Sequence, residues 1–175
     1  MKAIVKPTVI LLIICTLVAG ILAGTHVLTR NSIAEAEEKA RQESVREVLL
    51  GAFVIEELSA EGVNAFVGKD SSGSAVGYAF LTSAKGYGGD VSATVGFDTE
   101  GHIIGIAVLA PHETPGLGSN VQKESFGSQF VGMNADTGIT DVDYVTSATY
   151  SSKAVVEAVK LAMEQYQSVV KGGAQ

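Results

Sequence analysis

The 175-residue chain has one Cys, no Trp, three Pro and only 18% charged residues. A single Cys excludes a disulfide framework. That residue, Cys15, lies in an apolar run and follows Ile14, where a lipoprotein signal wants a small residue, so the rest of the chain has no thiol for an iron–sulfur cluster. No GxGxxG follows a strand-like run, and GxxxxGK[ST], HExxH and GxSxG are missing, which removes the usual nucleotide, zinc and α/β-hydrolase signatures. The three His, at 26, 102 and 112, have no local pattern that supports a Ser–His–Asp site. The 20 Gly follow no fixed period, and with 46% hydrophobic residues the chain is neither collagen-like nor disordered.

A mean hydropathy of +0.29 beside a net charge of −7 requires that the apolar residues be unevenly placed. Most of the excess lies at the front. Thr8 to Leu28 is 21 residues without Lys, Arg, Asp or Glu, enough at about 1.5 Å per residue to cross a hydrocarbon core of roughly 30 Å. The run is longer than the roughly 7–15 residues of a signal-peptide core, which favours a retained transmembrane helix. Lys2 and Lys6 precede it and Glu35, Glu37 and Glu38 follow Arg30, so the charge bias places the N-terminus in the cytoplasm and the remainder outside. Residues 31–175 hold 9 basic against 19 acidic residues, a balance of −10, and such a domain repels nucleic acid.

Beyond the anchor, Ile33, Ala36, Ala40, Val45, Val48 and Leu49 recur at helical spacing among charged residues, predicting a connecting amphipathic helix over 31–50. Asp70-Ser71-Ser72-Gly73 reads as a turn between strands over 63–67 and 76–81, and Gly86, Gly88 and Gly89 mark the next break. Val91, Ala93, Val95 and Phe97 alternate with small or polar residues. The turn at Asp98–Gly101 then leads into the apolar run 103–109, predicting a β-hairpin with one buried face. Asn120 suits the cap of a short helix containing Val121, Phe126 and Phe130. Ser151 or Ser152 suits the cap of a final helix with Val155, Val159, Ala162, Tyr166 and Val169 on one face, ended by Gly172-Gly173. The fold class is therefore α+β: a single N-terminal transmembrane helix, then a domain with a mainly antiparallel sheet and flanking helices. The predicted organisation is 1–30 cytoplasmic N-terminus and anchor, 31–50 connecting helix, 51–175 extracytoplasmic domain.

Two segments carry chemistry. His112-Glu113-Thr114-Pro115-Gly116-Leu117-Gly118 sets two Gly and a Pro around one Leu, a loop whose backbone can approach a planar ligand closely. Asp143-Tyr144-Val145-Thr146-Ser147-Ala148-Thr149-Tyr150-Ser151-Ser152 precedes the final helix. Hydroxyl-rich residues are common at a helix start, and the same place attracts phosphate through free N–H groups and the positive helix end.

Together, HETPGLG and D-x-x-T-S-A-T-x-S-S, with the preceding KGYGG at 85–89 and the N-terminal span, resemble the FMN-binding domain of the Rnf and Na⁺-translocating NADH:quinone reductase complexes. The resemblance covers nearly the whole chain and is nearest to the G subunit of the Rnf complex, with the C subunit of the quinone reductase its counterpart. It implies FMN held covalently by a phosphoester to Thr149, with Thr146, Ser147 and Ala148 also contributing to cofactor binding. Ser147 stands where the family pattern usually has Gly. It further implies that Glu113, Thr114, Leu117 and Gly118 lie near the flavin ring. A Thr hydroxyl is a poor nucleophile unaided. A separate flavin transferase using FAD and a metal would therefore act on this chain, reading Asp143, Thr146, Ala148 and Ser151. No residue here is expected to be catalytic or to bind a metal. The implied function is a membrane-anchored flavoprotein subunit of an Rnf-type ion-translocating ferredoxin:NAD oxidoreductase, working with the other subunits of that complex. The alternatives are a component like the C subunit of the quinone reductase and an anchored binding or assembly module without flavin.

Overall fold

The computed structural model describes residues 2–60 and 62–172, with side chains described for 5–58 and 62–172. By contacts the chain divides into two compact units, Met1–Ala40 and Arg41–Gln175.

The first unit is helical throughout its described residues. A single helix, α1, runs Lys2–Val48, so the expected connecting helix is not a separate element but the continuation of the anchor. Nothing between Thr29 and Arg41 breaks it, because that stretch has neither Gly nor Pro and is rich in Ala, Glu, Lys and Arg. Among the described residues α1 is the one helix long and apolar enough to cross a membrane.

The second unit is built on a five-stranded antiparallel meander in sequential order: β1 Val54–Ala60, β2 Val63–Lys69, β3 Ala75–Lys85, β4 Asp90–Phe97 and β5 Ile103–Leu109. β1, with adjacent Glu56 and Glu57 interrupting any alternation, is a strand beyond those the sequence pattern predicts. Asp70 makes the β2–β3 turn by accepting the N–H groups of Ser72 (2.8 Å) and Ser74 (3.0 Å). After β5 come a short 3₁₀ turn Gly118–Gln122, a one-turn helix α2 Glu124–Gly127, a 3₁₀ turn Ser128–Phe130 and the final helix α3 Thr149–Tyr166. Asn120 does not cap a helix; it sits inside the first 3₁₀ turn, and its side-chain amide donates to the Gly116 carbonyl at 2.7 Å. α3 runs on into a π turn, Gln167–Lys171, with Gly172, the first of the two expected stop residues, at its C-terminal cap; Gly173 lies outside the described residues.

One face of the sheet packs on α3. Phe80, Val91, Ala93, Val95 and Phe97 meet Val155, Ala158, Val159, Ala162 and Tyr166, all fully buried. The helical spacing of those α3 residues and the alternation in β4 meet as the sequence predicts. Tyr166 is the centre of this layer, with its ring 4.8 Å from that of Phe97 and its hydroxyl donating to the carbonyls of Asp98 (3.3 Å) and Thr99 (3.2 Å).

Within the hairpin β4–β5, β4 is buried on both faces rather than one, while β5 leaves Ile104 45% exposed. The second face is covered by the last turns of α1 and the residue after them, with Val45, Val48 and Leu49 packed near Ala79 and Ala107. Ser44 and Thr94, both buried, share a hydroxyl–hydroxyl hydrogen bond of 2.6 Å there. Gly68 pairs with Gly77 and Gly96 with Gly105 across adjacent strands. These four residues form a seam without side chains into which the helix end settles. The hydrophobic period within one strand does not reveal a covering element that lies far away in sequence.

Candidate functional site

The loop after β5, the β3–β4 turn and the start of α3 converge on one cleft of about 280 Å³. Its lining is Tyr87 from the β3–β4 turn, Glu113, Thr114, Leu117 and Gly118 from the loop, and the continuous run Ser147–Ser151. The two segments singled out in the sequence are thus brought together, although 24 residues, 119–142, separate them.

Glu113 organises the cleft. Its carboxylate is buried at 5% exposure and accepts three hydrogen bonds. The N–H groups of Tyr87 (2.7 Å) and Gly88 (3.1 Å) donate to Oε1, and the Ser151 hydroxyl (2.9 Å) donates to Oε2. The nearby glycines serve this carboxylate. A Cβ on Gly118 would stand 2.2 Å from Glu113 Oε2, and one on Gly86 would stand 2.3 Å from Oε1. At Gly118, in the loop whose backbone the sequence suggested could approach a ligand, the missing side chain makes room for this buried carboxylate.

The start of α3 also departs from expectation. Its cap residue is Ala148, with no side-chain cap. Ser151 and Ser152 lie inside the first turn and are buried. Ser151 points to Glu113, and the Ser152 hydroxyl accepts the Val145 N–H at 3.1 Å. The first intrahelical bond is Ser152 N–H to Ala148 O at 2.8 Å, so the N–H groups of Thr149, Tyr150 and Ser151 precede the helical ladder. They point out of the N-terminus of an 18-residue helix, where the peptide dipoles attract an anion. Thr149 is exposed there.

Ser147 has φ of +67° and is the one non-glycine residue with positive φ among the described residues. The sharp turn it makes sets Ala148 at the cap and carries the chain into α3.

Leu117 is 50% exposed, Tyr87 76% and Tyr150 69%, and the two tyrosine rings are 6.3 Å apart. The cleft rim is therefore apolar and aromatic. Sequence reasoning did not single out Tyr87 and Tyr150, which line the cleft. The signal was present, an aromatic set between glycines in KGYGG and another directly after Thr149. Thr146 and Asp143 are exposed and stand outside the lining. Asp143 is held by its backbone, its N–H donating to Gln129 Oε1 (2.8 Å) and its carbonyl accepting from Gln129 Nε2 (3.2 Å). Among the described residues no Lys or Arg lines the cleft; Lys153, one turn along α3, is exposed.

The family model for the FMN-binding domain matches residues 86–164, a span from the Gly86 turn through most of α3, and that for the RnfG N-terminal region matches residues 1–48. The G subunit of the ion-translocating oxidoreductase complex of Methanosarcina acetivorans is 31% identical, covering 98% of this chain and 98% of that one. The G subunit of the Na⁺-translocating ferredoxin:NAD⁺ oxidoreductase complex of Acetobacterium woodii is 29% identical over 97% of this chain and 95% of its own. Among solved structures, the C subunit of the Na⁺-translocating NADH-quinone reductase of Parabacteroides distasonis superposes with a TM-score of 0.56 at 16% identity, covering 80% of this chain and 96% of that one. NqrC of Shewanella oneidensis gives 0.54 at 20% identity, covering 73% and 74%. The family match and the single apolar N-terminal helix make this a membrane-anchored protein with an FMN-binding domain. More narrowly, the chain belongs to the RnfG family, the G subunits of Rnf-type ion-translocating oxidoreductase complexes.

Proposed function

We propose that the chain is the flavoprotein subunit of such a complex, an electron-transfer component of an ion-translocating ferredoxin:NAD oxidoreductase that works with the other subunits. In this reading it carries FMN through a phosphoester on the Thr149 hydroxyl. The observation that carries this is the placement of Thr149, exposed at the first position of an uncapped helix and on the wall of the cleft. The residues present fit the group. The N–H groups of Thr149, Tyr150 and Ser151 supply donors for a phosphate, and Lys153 adds a positive charge one turn away. Tyr87, Leu117 and Tyr150 supply exposed apolar surface suited to an isoalloxazine ring. At about 280 Å³ the cleft is at the lower end of the roughly 300–1,000 Å³ of small-molecule sites, which suits a ring covered in part and open to partners.

FMN supplies reversible electron transfer; the protein's residues tether, orient and shield it. Thr149 anchors the phosphate, and Thr114, Leu117 and Gly118 from one side with Ser147 and Ala148 from the other bound the cleft. The lining holds no activating base for Thr149, because the buried Glu113 carboxylate is already engaged by three donors. This supports attachment by a separate flavin transferase, for which exposed Asp143, Thr146 and the Ala148–Ser151 turn form the recognition segment. By charge bias the N-terminus is cytoplasmic, residues 1–30 form the anchor, 31–50 the connecting segment, and 51–175 the extracytoplasmic flavin domain.

The test is expression of the full chain with and without a flavin transferase, followed by denaturing electrophoresis and in-gel fluorescence. A fluorescent band that needs the transferase and disappears in Thr149→Ala is expected. A dark wild-type band with the transferase present would leave an anchored module without covalent flavin.

A further inference from the structure

We propose that Glu113 is a positioning residue that assembles the cleft before any flavin arrives and that its buried charge lowers the potential of the flavin held there. The second half rests on the flavin reading above; the first does not. The β3–β4 turn and the first turn of α3 share no backbone hydrogen bond with each other among the described residues, yet both are bonded to one carboxylate. Oε1 holds the Tyr87 and Gly88 amides and Oε2 holds the Ser151 hydroxyl. Tyr87 and Ser151 both line the cleft, so the carboxylate ties together the two segments that contribute them. The surroundings leave room for this group, since added Cβ atoms at Gly86 and Gly118 would overlap its two oxygens.

The hydrogen-bond set also speaks to charge. The two backbone N–H groups on Oε1 can only donate, and such bonds stabilise negative charge on a carboxylate. Glu113 lines the same cleft as Thr149, and no Lys or Arg side chain among the described residues lines it to offset the charge. Electrons added to a flavin beside a fixed, partly desolvated negative charge are disfavoured, more so than beside an exposed one. Lys85, Asp90 and Lys153 are outside the cleft lining; the first two are paired with each other at 2.9 Å on the surface, and Lys153 is exposed to solvent, which weakens its field at the ring.

Glu113→Gln keeps an acceptor for the two amides and removes the charge; Glu113→Ala removes both. In the full chain without flavin, amide hydrogen exchange at Tyr87 and Gly88 should be at least about tenfold faster in Glu113→Ala and close to wild type in Glu113→Gln. In the flavin-loaded chain, Glu113→Gln should raise the midpoint potential. Ser151→Ala, which keeps the charge but removes one of its donors, should lower it. Unchanged exchange at Tyr87 and Gly88 in Glu113→Ala overturns the clamp, and a Glu113→Gln potential equal to or below wild type overturns the electrostatic role. If the wild-type chain takes up no flavin, the flavin reading fails while the exchange experiment still decides the clamp.

Discussion

Gly96 lies directly beneath Val48: a Cβ built on Gly96 would stand 2.7 Å from the Val48 carbonyl oxygen and 2.9 Å from the Val48 Cβ. The strand and the helix end touch backbone to backbone, and this contact joins the end of α1 to the middle of the sheet. Gly96→Ala should therefore destabilise the domain by about 1–3 kcal/mol through overpacking. Gly105→Ala, whose added Cβ meets Val48 only at 3.5 Å, should change stability by less than about 0.5 kcal/mol. Urea unfolding of the two variants in detergent checks the difference.

At Ser147 the left-handed backbone, φ +67°, costs a non-glycine residue about 1–2 kcal/mol. Glycine removes that cost but loses about 0.4–1 kcal/mol through a freer unfolded chain. Ser147→Gly is expected to stabilise by about 0.5–1 kcal/mol net, and Ser147→Val to destabilise, with both read as shifts in melting temperature. Flavin attachment in Ser147→Gly should be at least as efficient as in wild type, because the turn before Thr149 keeps its geometry.

Asp98 holds the β4–β5 turn. Burial pushes its carboxyl upward, but the N–H groups of His102 and Glu100 and the His102 ring outweigh this and leave it below the ordinary carboxylate value. A folded-state value below the unfolded one gives stability that is present above about pH 4 and lost as pH falls through the folded value. Asp98→Asn should cost on the order of 1 kcal/mol at neutral pH. The gap from wild type should close in acid, as followed by unfolding midpoints between neutral pH and about pH 2.5.

Tyr166 behaves in the opposite sense. Burial raises the phenol above its usual value, and the negative charge of Asp98 adds to the effect. The neutral form is favoured in the folded protein, so its contribution is intact below about pH 10 and lost as pH rises through the folded value. Tyr166→Phe should lower stability at neutral pH by about 1 kcal/mol through loss of the hydroxyl's bonds to the Asp98 and Thr99 carbonyls. It should also remove the steep alkaline component of unfolding expected in wild type, measured by circular dichroism between about pH 9 and pH 12.

Local pattern alone was enough for much of the chain. Uncharged length marks the apolar part of α1, alternation marks β4, apolar residues at helical spacing mark α3, and Asp-Ser-Ser-Gly marks the β2–β3 turn, because each depends on neighbours a few residues away. The HETPGLG loop and the segment ending at Thr149 could likewise be singled out by composition and resemblance. Tertiary contact decided the rest. The glycines at 68, 77, 96 and 105 form one seam only when four strands align beneath the end of α1, an element remote from them in sequence. Ser151 could pass for a helix cap until the fold set Glu113 beside it. Burial made the difference: a carboxylate removed from water must find donors, and these donors lie on segments that the sequence keeps apart.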